Sequence, residues 1–255
     1  MKACSHQSED IELKAVQCLI DMIKSCYQYL TSMHMEIIVE RTLDLLKSNR
    51  TSVTIVIAEF WSVVAKHEWK LQINQKVDPK ITIHYFIKQF AQKLSKEFLL
   101  ILLKKDTEDI DDGFSVHGAT YDCLININQM AGQANRDITI EFIDKMIGSD
   151  VESNKVAALL CFEAMILGAD WDVAELITSS FPTVLKFVQV NPTLCKASLK
   201  VIKAISVRYS DYLLKDTISV EWLELLIKLL QSDAKLGTLV CDILTSKKLS
   251  DQRCS

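Results

Sequence analysis

Apolar residues recur along this chain with the period of an α-helix. Between Ile11 and Leu30 they fall at Val16, Leu19, Ile20, Ile23, Tyr27 and Leu30, the i, i+3, i+4, i+7 spacing of one helical face. After Ser32 a second stripe follows at Met35, Ile38, Val39, Thr42, Leu45 and Leu46. Four polar residues, KSNR, separate it from a third run, Val53 to Val64. So short a connection predicts antiparallel neighbours.

The same alternation continues. Ile81 to Leu103 is followed by an acidic loop and Val116 to Met130; Ile138 to Ile147 by GSDVESN and Val156 to Leu167. Val173 to Val190 precedes Leu194 to Val207, and Ile218 to Leu230 precedes Leu236 to Leu244. The middles of later second helices, near Ala157, Ser198 and Leu239, are spaced by about 40 residues, the HEAT and armadillo period. The chain therefore reads as all-α, an α-α superhelix of the HEAT-repeat solenoid class. Residues 1–255 form a single array of about six helical hairpins in this reading, with a long loop near 69–80 (WKLQINQKVDPK) and an acidic loop near 105–114. Second helices such as VAALLCFEAMIL are apolar almost all round and are expected inside the stack. Pro182 falls within a first helix, where it removes one backbone donor and predicts a kink.

Composition narrows the function classes. Six Gly and three Pro are too few for the turns of a many-stranded sandwich, and 49% hydrophobic with 24% charged residues mark a folded chain. The net charge of -4 gives no general reason to expect nucleic-acid binding. Eight cysteines without a C-x-x-C pair, most of them inside apolar runs, predict reduced thiols and a reducing compartment. The N-terminus has no apolar stretch resembling a secretory signal. The longest apolar block, Val156 to Leu167, is broken by Glu163 and too short to span a bilayer, so a soluble intracellular chain without membrane insertion is expected.

The stretch KKDTEDIDDGF, Lys104 to Phe114, places five carboxylates within seven residues. It fails as an EF-hand in both registers: starting at Asp106 puts Ile110 at position 5 and His117 at 12, and starting at Asp109 puts Gly113 at 5 and Thr120 at 12. The five histidines, His6, His34, His67, His84 and His117, have no H-x-x-x-H pairing, and no phosphate-cradling or nucleophile-elbow motif occurs. No metal, cofactor or enzymatic activity is expected.

AVQCLIDMIKSCYQYL (Ala15 to Leu30), IAEFWSVVAKHEW (Ile57 to Trp69) and LLKKDTEDIDDGFSVHGATYDCL (Leu102 to Leu124) resemble, in order and spacing, consecutive repeats of the importin-beta family of nuclear transport receptors. The resemblance continues through VAALLCFEAMILG and FPTVLKFV, and corresponds to the middle of the family's N-terminal half. It implies a receptor segment that binds the Ran GTPase, nucleoporin Phe-Gly (FG) repeats and a basic cargo or the adaptor importin-alpha. Such a protein moves between cytoplasm and nucleus through the pore.

The resemblance also assigns residues. Glu108, Asp109, Asp111 and Asp112 would form an anionic strip for Ran or basic cargo, with Phe114 in the place of the family's usual Trp. Met33, Ile37 and Arg41 would line the convex-side site for FG repeats, with Met33 in place of an aromatic residue. Lys200 and Asp242 stand where the family's inner-face Trp ladder is expected, and Leu239 near an expected Asn, so the resemblance carries adaptor binding less far. The competing reading is a general HEAT-repeat interaction scaffold, such as a phosphatase regulatory subunit.

Overall fold

The structure, a computed structural model, describes residues 8–48, 50–104, 115–209, 222, 224–229, 237–243 and 245. Its elements are α1 (Glu9–Cys26), α2 (Ser32–Leu46), α3 (Thr51–Gln75), α4 (Phe86–Leu102), α5 (Val116–Ala131), α6 (Arg136–Ile147), α7 (Glu152–Gly168), α8 (Ala174–Phe187) and α9 (Pro192–Arg208), with short 3-10 turns at Tyr27–Tyr29 and Gly132–Asn135. Helical residues recur at 224–229 and 237–243. No strand occurs among the described residues. The acidic-loop residues Glu108, Asp109, Asp111, Asp112 and Phe114 lie outside them, as do His6, Cys4, Cys254 and much of the last hairpin.

Two compact units emerge from the packing: 1–142 with 168–170, and 143–167 with 171–255. In the first, the second helices α1, α3 and α5 pack successively, and the first helices α2 and α4 form a parallel layer joined to them by α2–α3 and α4–α5 contacts. The stripes read from the sequence are the faces that close this core: Val16, Ile20 and Ile23 of α1 are fully buried, as are Val53, Ile57, Phe60, Trp61 and Val64 of α3. The Trp61 indole N–H donates to Thr42 Oγ1 at 3.2 Å, which fixes α3 against α2 and satisfies the one polar atom of a buried ring. Phe60 meets Trp61 edge-on, with centroids 4.8 Å apart. Caps set the helix starts: Thr31 and His34 form a reciprocal capping box at α2, and Ser115 Oγ accepts the Gly118 N–H at α5.

In the second unit every residue of α7 from Ala157 to Ile166 is buried, as its all-round apolar sequence predicts. α8 packs on α9. Pro182 lies exposed inside α8, on the solvent side, where a missing backbone donor is tolerated. Asn191 Oδ1 accepts the Leu194 N–H at 2.9 Å and Pro192 occupies the first helical position, a strong start signal for α9.

One element differs from the sequence reading. The loop expected near 69–80 begins only after Gln75, because α3 continues through Trp69 for 25 residues in all. The polar residues that suggested a loop, Lys70 and Asn74, lie on the solvent side of a long helix, and no Gly or Pro interrupts it before Pro79. The stripe position within this extension belongs to Glu68, which is completely buried. Its carboxylate accepts the Tyr27 hydroxyl at 2.6 Å and the backbone N–H groups of Phe86 (2.7 Å) and Ile87 (3.0 Å). It thus caps α4 from a distance, where the N-cap residue Tyr85, left-handed at φ 56°, makes no side-chain cap of its own. Burial pushes the Glu68 carboxyl above its ordinary value against the opposing pull of these hydrogen bonds.

Five of the polar ties between hairpins share nearly one sequence separation. Tyr27 to Glu68 spans 41 residues, Gln92 to Ala134 42, Glu152 to Asn191 39 and Lys203 to Asp242 39. The Arg208 guanidinium donates to the Leu167 carbonyl, again across 41. Each is one repeat in length.

Candidate protein-interaction site

Met33, Ile37 and Arg41 are spaced i, i+4, i+8 on α2, and the structure brings them onto one solvent-facing strip. Met33 is 65% exposed and Ile37 42%, while the opposite face of the same helix, Met35, Ile38, Val39, Thr42, Leu45 and Leu46, is buried. The Thr42 hydroxyl turns back to the Ile38 carbonyl at 2.9 Å and so enters the core without an open donor. Two unbranched or branched aliphatic side chains of this size held out to water on a rigid helix give a shallow apolar surface.

Position on the helix matters. Ser32 faces α4, where its hydroxyl bonds Gln89 Oε1 at 3.2 Å. Ile37 lies about 140° round the helix from Ser32. The strip therefore points away from the α2–α4 seam. A charged rim closes its far end: Asp44 accepts a 2.9 Å hydrogen bond from Lys47, which holds its carboxyl below the ordinary value, with Arg41 and Lys93 adding their fields.

The residues flanking the acidic loop are well placed. Its stem is tied by His117, whose Nε2 lies 3.2 Å from the Leu102 carbonyl, and by the Ser115 cap that starts α5. The flanking residues Leu102 and His117 are thereby held together at one end of the α4–α5 hairpin. Of the ladder positions, Asp242 forms a 2.7 Å ion pair with Lys203, one repeat earlier, so this site carries a charged cross-link between second helices where an aromatic was expected.

Sequence reasoning missed Tyr29. It is 73% exposed in the 3-10 turn just before α2, an aromatic ring open to solvent four residues ahead of Met33. The signal was present: Tyr29 is out of phase with the stripe that buries Tyr27 and Leu30. Among the described residues no group of three or more His, Cys, Asp and Glu is placed to hold a metal ion, and no helix is long and apolar enough to cross a membrane.

Antiparallel hairpins of about 40 residues, first helix against second, define a HEAT-repeat array. No family model matches the chain. In sequence it resembles importin subunit beta-1 of Saccharomyces cerevisiae (strain ATCC 204508 / S288c), 26% identical over 170 residues, which are 64% of this chain and 20% of that protein. Solved structures of yeast importin-beta, Kap95p, superpose with a TM-score of 0.89 over 96% of this chain and 29% of theirs, at 17% identity alone and 18% in the Kap95:Nup1 complex. Kap121p superposes with a TM-score of 0.71 at 15% identity, over 93% of this chain and 24% of that one. The chain is a HEAT-repeat array similar in fold to importin-beta and spans about a fifth of the length of the curated relative it resembles.

Proposed function

We propose that the chain is a nuclear transport receptor module that binds nucleoporin FG repeats on the outer face of α2 and the Ran GTPase or a basic cargo through the loop at 108–112. The observation that carries this reading is the strip of Met33 and Ile37, held exposed, with Tyr29 four residues ahead, on a helix whose remaining apolar residues are all committed to the core. A Phe ring needs such a shallow apolar seat, and the structure of Kap95 with Nup1 supplies the analogy of a similar array in complex with a pore protein.

For Ran the support is the resemblance around the acidic segment together with two related complexes, Kap95p with RanGDP and Kap121p with RanGTP. Four carboxylates within five residues attract a lysine-rich or arginine-rich surface without needing a pocket. Residues of such a module would be found in the cytoplasm, the nucleus and the pore. The deciding experiment compares capture of Ran by the immobilised chain with GTP and with GDP bound. Nucleotide-dependent capture is expected, and equal or absent capture favours the general scaffold instead.

A further inference from the structure

The last two turns of α3 stand clear of the second helices on either side. α1 ends at Cys26, level with Glu68, since the next residue, Tyr27, bonds the Glu68 carboxylate. On the other side Ser62 is hydrogen-bonded to Cys123 of the parallel helix α5; from that level α5 runs on for eight residues, to Ala131, and α3 for thirteen, to Gln75. α3 therefore overshoots α5 by about 7.5 Å. The turn beyond it is pinned. Gln75 Nε2 donates to the Ile81 carbonyl at 2.8 Å, Gln75 Oε1 accepts the Tyr85 hydroxyl at 3.3 Å, and Asp78 Oδ1 accepts the Lys80 N–H at 3.1 Å.

Lys66, Trp69, Lys70 and Ile73, spaced i, i+3, i+4, i+7, share one face of this projection. It is the face turned from the core: Ile73 lies about 140° round the helix from the buried Glu68 and about 160° from Gln75, which the returning chain covers. Lys66 and Lys70 are exposed, Trp69 is half-buried, and Ile73 is 47% exposed. Val77, just past the helix end, is 87% exposed, and Lys76 and Lys80 stand exposed around it. Four exposed lysines against one exposed acid, Asp78, reverse locally the sign of a chain whose net charge is -4. None of the four forms an ion pair among the described residues.

We infer that this face binds an acidic, apolar segment of a protein partner, with carboxylates over Lys66 and Lys70 and an apolar side chain packed against Ile73 and Trp69. From Lys66 to Val77 the surface is about 16 Å long, three turns of a partner helix. A long polyanion fits it less well. Exposed Glu59, two turns before Lys66 on the same face, and exposed Asp122 of α5 border the patch and repel phosphates that run past the lysines, whereas a short acidic segment ends with it. One half-buried ring is no stacking platform for bases. The inference does not rest on the transport reading, since the face shares no residue with the α2 strip or the loop at 108–112.

The full chain is titrated with a fluorescein-labelled peptide in which Glu residues three and four apart flank Leu and Phe, and binding is followed by anisotropy. Saturable binding that weakens with salt is expected. Lys66→Glu with Lys70→Glu weakens it by about tenfold or more, and that variant binds instead the same peptide with Lys in place of Glu. Ile73→Ser weakens it about fivefold. Lys14→Glu with Lys24→Glu, at exposed positions of α1, changes it by less than about twofold. All these side chains are exposed, so far-UV circular dichroism stays unchanged. No binding, or binding indifferent to Lys66 and Lys70, overturns the inference, and so does binding indifferent to Ile73, which is charge attraction alone. Tighter capture of single-stranded DNA or of phosphatidylserine vesicles, lost in the same double variant, assigns the face to a nucleic acid or a membrane and overturns the protein partner.

Discussion

The Tyr27 hydroxyl and the Glu68 carboxylate, 41 residues apart, form a 2.6 Å hydrogen bond inside the protein. Tyr27 also accepts the His84 N–H at 3.0 Å, and its ring lies against those of His67, His84 and Phe86. One pair thus joins the end of α1, the middle of α3 and the start of α4. Tyr27→Phe removes the donor and leaves a buried carboxylate one partner short, a loss of roughly 1.5–3 kcal/mol in denaturant unfolding.

The same pair fixes a pH dependence. Because burial raises the folded-state value of Glu68, the folded protein holds a proton more tightly there than the unfolded chain. Its contribution is full below the ordinary value near 4.5 and is lost as pH rises through the raised one. Glu68→Gln cannot ionise. Unfolding curves of protein and variant should therefore change in the variant's favour as pH rises across that window; a constant difference would contradict the assignment.

Ile37→Asp puts a charge where a nucleoporin Phe ring must seat, at a cost of about 2 kcal/mol or more, close to thirtyfold in affinity. The side chain is 42% exposed, so stability should stay within about 0.5 kcal/mol. Titration with FG peptides checks the first expectation and thermal unfolding the second. Tyr29→Ala, which removes the exposed ring ahead of α2, should weaken the same binding.

Replacing Glu108, Asp109, Asp111 and Asp112 by Asn or Gln removes the loop's charge and keeps its length. Exposed pairs are worth about 0–1 kcal/mol each, so the joint loss should appear chiefly as slower association with Ran-GTP and basic peptides. It should fade as salt shortens the screening length to about 8 Å. Unchanged association at low salt would reduce the segment to a solvated turn.

Thiol reactivity should divide cleanly. Cys18, Cys26 and Cys241 are exposed, whereas Cys123, Cys161 and Cys195 are buried, and burial pushes the Cys123 thiol up to about 12 and raises Cys161 as well. A thiol reagent is expected to label the first three rapidly in the native protein and the three buried thiols only on unfolding. In denaturant without reductant nearly all eight should react, provided the chain has been kept from oxidants.

Helices were legible wherever an apolar stripe had a face to close. Val16, Ile20 and Ile23, or Ile57, Trp61 and Val64, announce their burial by spacing alone. Legibility failed where a helix outran its partner: beyond Trp69, α3 has less to pack against, its residues turn polar, and the pattern looks like a loop. Glu68 was missed for a related reason. It occupies the stripe four residues after Val64, and a carboxylate in that phase signals a buried acceptor only once donors from Tyr27, Phe86 and Ile87 are known to converge on it. Those donors come from separate turns of chain, and no local pattern brings them together. The outer strip was easier, because i, i+4, i+8 positions share a face in any helix, but which neighbour that face meets depends on the packing of α2 against α4.

The recurrence of polar ties at 39 to 42 residues has a bearing on how this chain assembles. A bond that reaches no farther than the next hairpin closes a short loop, and a structure made of such bonds has low contact order and folds quickly. Opening one hairpin breaks these ties to its immediate neighbours first. Loss of order should then spread like fraying from an end rather than as one concerted event, with the hairpin nearest the break the first to exchange its amide hydrogens.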